Sequence, residues 1–181
     1  GDDVLGDDLT VIELQNKLAT MFGKEAGLFV ASGTMSNAVA IRAHTVPGDE
    51  IVCDKSAHIY RYEGGGYAAL SGTSIALVDG DKGIMSAEQV QKAIRKAAGS
   101  QSHYPNGTLV CVENTSNLGG GACYPQDVLD EIAAVAHAND CKAHIDGARI
   151  FNAVVASGID SKRMCRDYDS VSICLSKGLG A

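Results

Sequence analysis

Residues 142–177 read KAHIDGARIFNAVVASGIDSKRMCRDYDSVSICLSK. "KAHID" (142–146) is a short apolar run that stops on a carboxylate, and "ARIFNAVVAS" carries helical spacing. "SVSICLS" (170–176) is apolar again and stops on Lys177. Two apolar strands joined through a helix make a crossover unit, and crossover units build parallel sheets covered on both faces. The same alternation extends upstream. "EIVCD" (50–54), "SIALVD" (74–79) and "TLVCVEN" (108–114) are apolar strands, and "GLFVASGT" (27–34) reads as a strand breaking into a loop. "MSNAVAIRAH" (35–44) continues from it as a small-residue helix. Thr10 with Glu13 and Ser86 with Gln89 have capping-box spacing ahead of helical runs, Gly23 ends the first run, and Pro125 suits a first helical turn. The expected fold is α/β with a mostly parallel central sheet.

Composition excludes several classes of partner. The chain has 181 residues, enough for one full core. A net charge of −7 with no basic run argues against nucleic acid. No apolar stretch approaches the roughly 18 residues of a membrane helix. The six cysteines show no C-x-x-C pair and the five histidines no metal spacing, so no metal site is expected. Free cysteines and the absence of a signal-peptide pattern lead to the expectation of a cytoplasmic protein. The first residue is not methionine and the last lies just past a strand, so a piece of a longer protein is expected.

In an open α/β sheet, ligands bind beyond the carboxyl ends of the strands. Residues expected on that rim are Ser32-Gly33-Thr34, Asp54 with His58, Glu113-Asn114, Asp146 with Arg149, and Ser176-Lys177. Each has a plain reading beside a chemical one. "ASGTMSN" is an ordinary capped turn or a phosphate cup at a helix N-terminus. Asp146 is one half of an ion pair with Arg149, a helix cap, or a carboxylate facing a cationic ring nitrogen. His58 is a surface histidine or a flat ring stacked on a flat cofactor. Lys177 is a solvated charge, or an amine made nucleophilic by desolvation at a strand end. The chemical readings together fit pyridoxal phosphate, which needs a phosphate cup, an acid at its ring nitrogen, a lysine at its aldehyde and often an aromatic over its face.

Residues 1–37, "AHIYRYEGGG" (57–66), "VENTSN" (112–117), "HIDGARIFNA" (144–153) and "DSVSICLSKGLGA" (169–181) resemble, in order, the low-specificity L-threonine aldolases. These are fold-type I pyridoxal phosphate enzymes of the β-eliminating lyase group. The most specific part of the likeness is DGARIFN followed by SICLSKGLG. It implies a three-layer large domain over residues 1–181, lacking the extreme N-terminus and the small C-terminal domain. It also implies pyridoxal phosphate as cofactor and a homo-oligomer, a dimer or dimer of dimers with the active site at the interface. The implied reaction is retro-aldol cleavage of L-threonine or L-allo-threonine to glycine and acetaldehyde. The nearest alternatives are another fold-type I enzyme (β-eliminating lyase, aminotransferase or racemase) and a non-catalytic α/β binding module.

The resemblance also implies roles. Lys177 looks like the lysine that holds the cofactor's aldehyde, and Asp146 like the partner of its ring nitrogen. Gly33 and Thr34 look like the phosphate loop, and His58 like the ring-stacking, catalytic histidine. Arg149 looks like an arginine near the cofactor's phenolic oxygen and the substrate carboxylate. Two departures stand out. Ser116 occupies the place where the family commonly has a histidine near the substrate's β-hydroxyl, which bears on threo/erythro preference. Leu5 replaces a tyrosine in a segment used near the subunit interface.

Overall fold

The computed structural model describes residues 1–181, the side chain of Asp3 excepted. Five parallel strands form one sheet: β1 (Asp49–Asp54), β2 (Ser74–Val78), β3 (Asn106–Glu113), β4 (Lys142–Gly147) and β5 (Ser170–Ile173), in the spatial order β2-β1-β3-β4-β5. Eight α-helices, α1 (Leu9–Phe22), α2 (Gly33–His44), α3 (His58–Arg61), α4 (Gly66–Ser71), α5 (Ala87–Ala93), α6 (Gln126–Ala138), α7 (Ile150–Ser157) and α8 (Ser161–Met164), and two short 3₁₀ turns (Asp3–Leu5 and Gly99–Gln101) complete the elements.

The pleat sorts the core into two layers, because successive strand residues point to opposite faces. Val52, Val110, Val112, Ala143 and Ile145 face one side and pack with Phe22 of α1, Val90 of α5, Leu129 and Ile132 of α6, Ala153 of α7 and Met164 of α8. Ile51, Cys53, Leu109 and Cys111 face the other side and meet Ile41 of α2 and Ile59 of α3. The second face is apolar under β2, β1 and β3, where Ile75 joins the same cluster. On β4 the same face carries His144 and Asp146, both buried, and on β5 it carries Ser170 and Ser172. A polar seam therefore runs beneath α2.

Local signals hold at most element ends. Ser86 and Gln89 form a full capping box at α5, and Gly23 closes α1 in the left-handed conformation with φ 63°. Three expectations are corrected. The cap of α1 is Asp8, whose carboxylate accepts from the N–H groups of Thr10 and Val11, and Thr10 lies inside the helix. Residues 27–30 form no strand, because a cavity of about 410 Å³, lined by α1, this segment and β5, leaves them without a backbone to pair with. The strand expected over 170–176 ends at Ile173. Its last partner is Gly147, the end of β4.

Asp169 sets the start of β5. It accepts from the backbone N–H of Ala143 at 2.9 Å, from Lys142 at 2.9 Å and from His137 at 2.9 Å. Burial alone would raise its pKa, but these partners together hold the carboxyl well below the usual carboxylate range. A depressed folded pKa adds stability that is present above the unfolded value of about 4 and is lost as pH falls below it. Asp169→Asn is expected to cost about 1 kcal/mol at pH 7, since the partly exposed charges contribute little beyond the backbone bond. Urea melts should show the gap from wild type closing as pH drops below about 4; a gap independent of pH would refute the assignment.

Candidate active site

The rim at the carboxyl ends of the strands is built first by α2. Ser32 caps this helix, its Oγ accepting from Met35 N–H at 3.1 Å and its carbonyl from Ser36 N–H at 2.9 Å. The N–H groups of Gly33 and Thr34 have no acceptor among the described residues. They point out of the positive end of a twelve-residue helix, the local chemistry of an anion cup. Gly33 is required by proximity: a Cβ there would lie 2.6 Å from Cys174 Sγ. The helix N-terminus is thus pressed against the chain leaving β5, three residues before Lys177.

Asp146, at the end of β4, is 4% exposed. Its Oδ1 accepts from Ala148 N–H at 3.1 Å and its Oδ2 from Asn37 Nδ2 at 2.9 Å. Neither plain reading holds. The residue preceding α7 is Arg149, which has no side-chain cap, and the Arg149 guanidinium turns to Asn117, donating from Nη1 to Oδ1 at 3.0 Å. Among the described residues the Asp146 carboxylate has no cationic partner.

His58 opens α3, its N–H donating to Glu113 Oε2 at 2.7 Å and its Nδ1 lying 2.9 Å from Glu63 Oε1. The imidazole is about one-third exposed, whereas Glu63 is buried. Burial pushes the Glu63 carboxyl up, against the pull of Asn37 and His58. Glu113 is raised by burial as well, and its Oε1 accepts from Asn117 N–H at 2.7 Å, placing the residue that holds Arg149. Polar atoms of His58, Glu63 and Asp146 lie within 4.8 Å of one another, but the Asn37 amide already bridges the two carboxylates.

Two residues differ from expectation, Ser116 in its contacts and Lys177 in its exposure. Ser116 is buried, its Oγ accepting from Gly119 N–H at 3.2 Å and packed on the Gly83 turn, and its hydrogen bonds do not reach the Asp146 cluster. Lys177 lies in the turn beyond β5, exposed, rather than at a protein-lined strand end.

The family description "Beta-eliminating lyase" matches residues 1–181. The chain belongs to that family. Among its relatives, the low-specificity L-threonine aldolase 1 of Arabidopsis thaliana is 42% identical over 182 residues, covering 99% of this chain and 51% of that protein. The low specificity L-threonine aldolase of Escherichia coli strain K12 is 39% identical over 181 residues, covering 99% of this chain and 53% of that one. The chain thus spans about half the length of these relatives. A solved threonine aldolase of Leishmania major superposes with a TM-score of 0.73 over 84% of this chain and 44% of that one, at 20% identity, a likeness of fold.

Within this chain, the residues that sequence reasoning passed over are Asn37, Glu63 and His144. Asn37 follows Gly33 by one helical turn, so the two share a face of α2. His144 and Asp146 are two apart in a strand and share a face. Those spacings were the available signals.

His144 is fully buried, between Ser170 Oγ at 2.8 Å from Nδ1 and Asn37 Oδ1 at 3.2 Å from Nε2. Burial pushes its pKa down to about 4, opposed by Asp146 and reinforced by His44. The unfolded imidazole protonates near 6.5, so between pH 6.5 and 4 the unfolded chain binds the extra proton and stability falls as pH falls. His144→Gln should remove up to roughly 1.4 kcal/mol per pH unit of that slope. Denaturant melts at several pH values in this window test it; an unchanged slope would show that His144 is not the group responsible.

Proposed function

We propose that residues 1–181 form the incomplete cofactor-binding large domain of a pyridoxal-phosphate lyase. Its reaction is the cleavage of L-threonine and L-allo-threonine to glycine and acetaldehyde. The observation that carries this reading is the buried Asp146 carboxylate, oriented by two donors and lacking a counter-charge. A buried, uncompensated carboxylate is costly, and a protonated ring nitrogen is the cation that would complete it. The other groups fit the same cofactor: the free N–H groups of Gly33 and Thr34 suit its phosphate, the His58 ring its face, and the Lys177 amine its aldehyde.

The bound cofactor supplies an electron sink for a carbanion at the substrate's Cα. Asp146 keeps a proton on the ring nitrogen. Arg149, which donates to Asn117, is the guanidinium that would bind the substrate carboxylate. With Nδ1–H donated to Glu63, His58 keeps a lone pair at Nε2, which makes it the base available to the substrate's β-hydroxyl. Ser116, engaged by Gly119, does not take that role. The names of the curated relatives support the substrate. Val4, Leu5 and Leu9, at 90%, 75% and 78% exposure, support a homo-oligomer joined near the N-terminal segment. Glycine formation from threonine in the cytoplasm is the corresponding setting. No helix is long and apolar enough to cross a membrane.

The test is a visible spectrum of the full-length protein with pyridoxal phosphate, beside Lys177→Ala, together with assays of threonine cleavage. The wild type should show an absorption band distinct from the free cofactor and release equal amounts of glycine and acetaldehyde. Lys177→Ala should lose the band and at least roughly a thousandfold in rate. A wild-type spectrum identical to free cofactor would overturn the cofactor reading, and pyruvate without acetaldehyde would move the chain to β-elimination.

A further inference from the structure

We propose that Asn37 is the positioning residue for Asp146, its amide locked in one orientation by His144, so that a single buried side chain sets both the carboxylate and, through Glu63, the His58 imidazole. This rests on the cofactor reading above and assigns a role to residues outside the expected site.

The directions of the hydrogen bonds decide it. Asn37 is 2% exposed, and its Nδ2 lies 2.7 Å from Glu63 Oε1 and 2.9 Å from Asp146 Oδ2. An amide NH₂ has two protons, so each carboxylate receives one. The amide oxygen must then face His144 Nε2 at 3.2 Å, and that nitrogen must carry the proton. A neutral imidazole protonated at Nε2 has a bare Nδ1, which accepts the Ser170 hydroxyl at 2.8 Å. The Ser170 oxygen in turn accepts from His44 Nε2 at 2.8 Å. Every donor in this row points from His44 toward the two carboxylates. Turning the amide over would set its oxygen against both carboxylates and its NH₂ against an N–H, leaving buried groups without partners.

The outcome is specific to the site. Asp146 Oδ2 is held by Asn37 and Oδ1 by Ala148 N–H, which fixes the plane of the carboxylate. Glu63 Oε1, held by the same amide, takes the His58 Nδ1–H and keeps the lone pair on Nε2. Asn37 also stands one turn from Gly33 on α2. The anion cup and the brace on the carboxylate therefore belong to one helix, and the spacing between phosphate and ring-nitrogen contacts is set within it.

The experiment is a mutant cycle on the dissociation constant of pyridoxal phosphate, titrated into the full-length apoprotein and read by absorbance. Asn37→Ala should weaken binding about tenfold, the effect of removing a bond to a charged group. Asn37→Ala added to Asp146→Ala should weaken it clearly less than Asn37→Ala does alone, since only the arm through Glu63 to His58 is then left to lose. Additive losses, or no loss in Asn37→Ala, would overturn the proposal. A second pair decides the matter if Asn37→Ala does not fold. His144→Leu removes the donor to Asn37 Oδ1 and should weaken binding severalfold, whereas His144→Gln keeps an N–H donor and should stay within about twofold of wild type. Equal effects of Leu and Gln would overturn the proposal. If the wild type itself binds no cofactor, the reading of the previous section fails and this one with it, whereas binding with additive losses sinks this one alone.

Discussion

Carboxylates buried under a helix constrain the rest of the structure. Asp146 and Glu63 lie on the α2 side of the sheet, out of water, with no lysine or arginine between them. Ionised groups in such a place must be met by hydrogen-bond donors or they take up protons. The Asn37 amide meets both, and its own oxygen is met by His144. The requirement then passes outward through Ser170 to His44. A face packed under β1 and β3 with isoleucine, leucine and cysteine is given over under β4 and β5 to polar groups with defined directions.

That polar seam dictates what the neighbouring elements can be. Helix α2 needs a small amide at position 37 and a residue without Cβ at position 33, where Cys174 approaches. β3 contributes through register: Glu113 stands beside Asp146, so two acidic residues reach the rim side by side. They serve different ends. Glu113 is consumed by backbone donors, fixing the start of α3 and the loop that holds Arg149. Asp146 takes one backbone donor, from Ala148, and one side-chain donor, from Asn37, which ties it to α2. The sequence shows two strand-terminal carboxylates; the structure separates them by the kind of donor each meets, two backbone N–H groups for Glu113 and one backbone and one side-chain N–H for Asp146.

Legibility in the sequence followed the range of the interaction. Caps and strand alternation are local, so the Ser86–Gln89 box, Gly23 as a helix end and four of the five strands within a residue or two could be read from short windows. Strand length is not local. The 170–176 run was apolar throughout, yet β5 stops where β4 stops, and 27–30 has the composition of a strand with no partner beside it. At α1 the error was a competition between caps: Asp8 satisfies two N–H groups with one oxygen, which leaves Thr10 nothing to cap. Asn37, Glu63 and His144 come from three distant segments, and none carries a motif. The choice for Asp146 between ion pair, cap and ligand group was also beyond the sequence, because it turned on where Arg149 points.

Ser116 and His58 are side chains of unlike standing. A hydroxyl on an amide N–H, packed against a glycine turn, is a structural group. The imidazole at position 58 differs in each respect: it is partly open to solvent, and its Nδ1 is tied to a carboxylate that is itself tied to Asn37. Fixing one nitrogen of a histidine as a donor leaves the other as an acceptor, the condition for a base near neutral pH. The same amide that braces the Asp146 carboxylate thereby also holds, through Glu63, the orientation of the His58 ring. A substitution at Asn37 would disturb Asp146 and His58 at once, one directly and the other through Glu63.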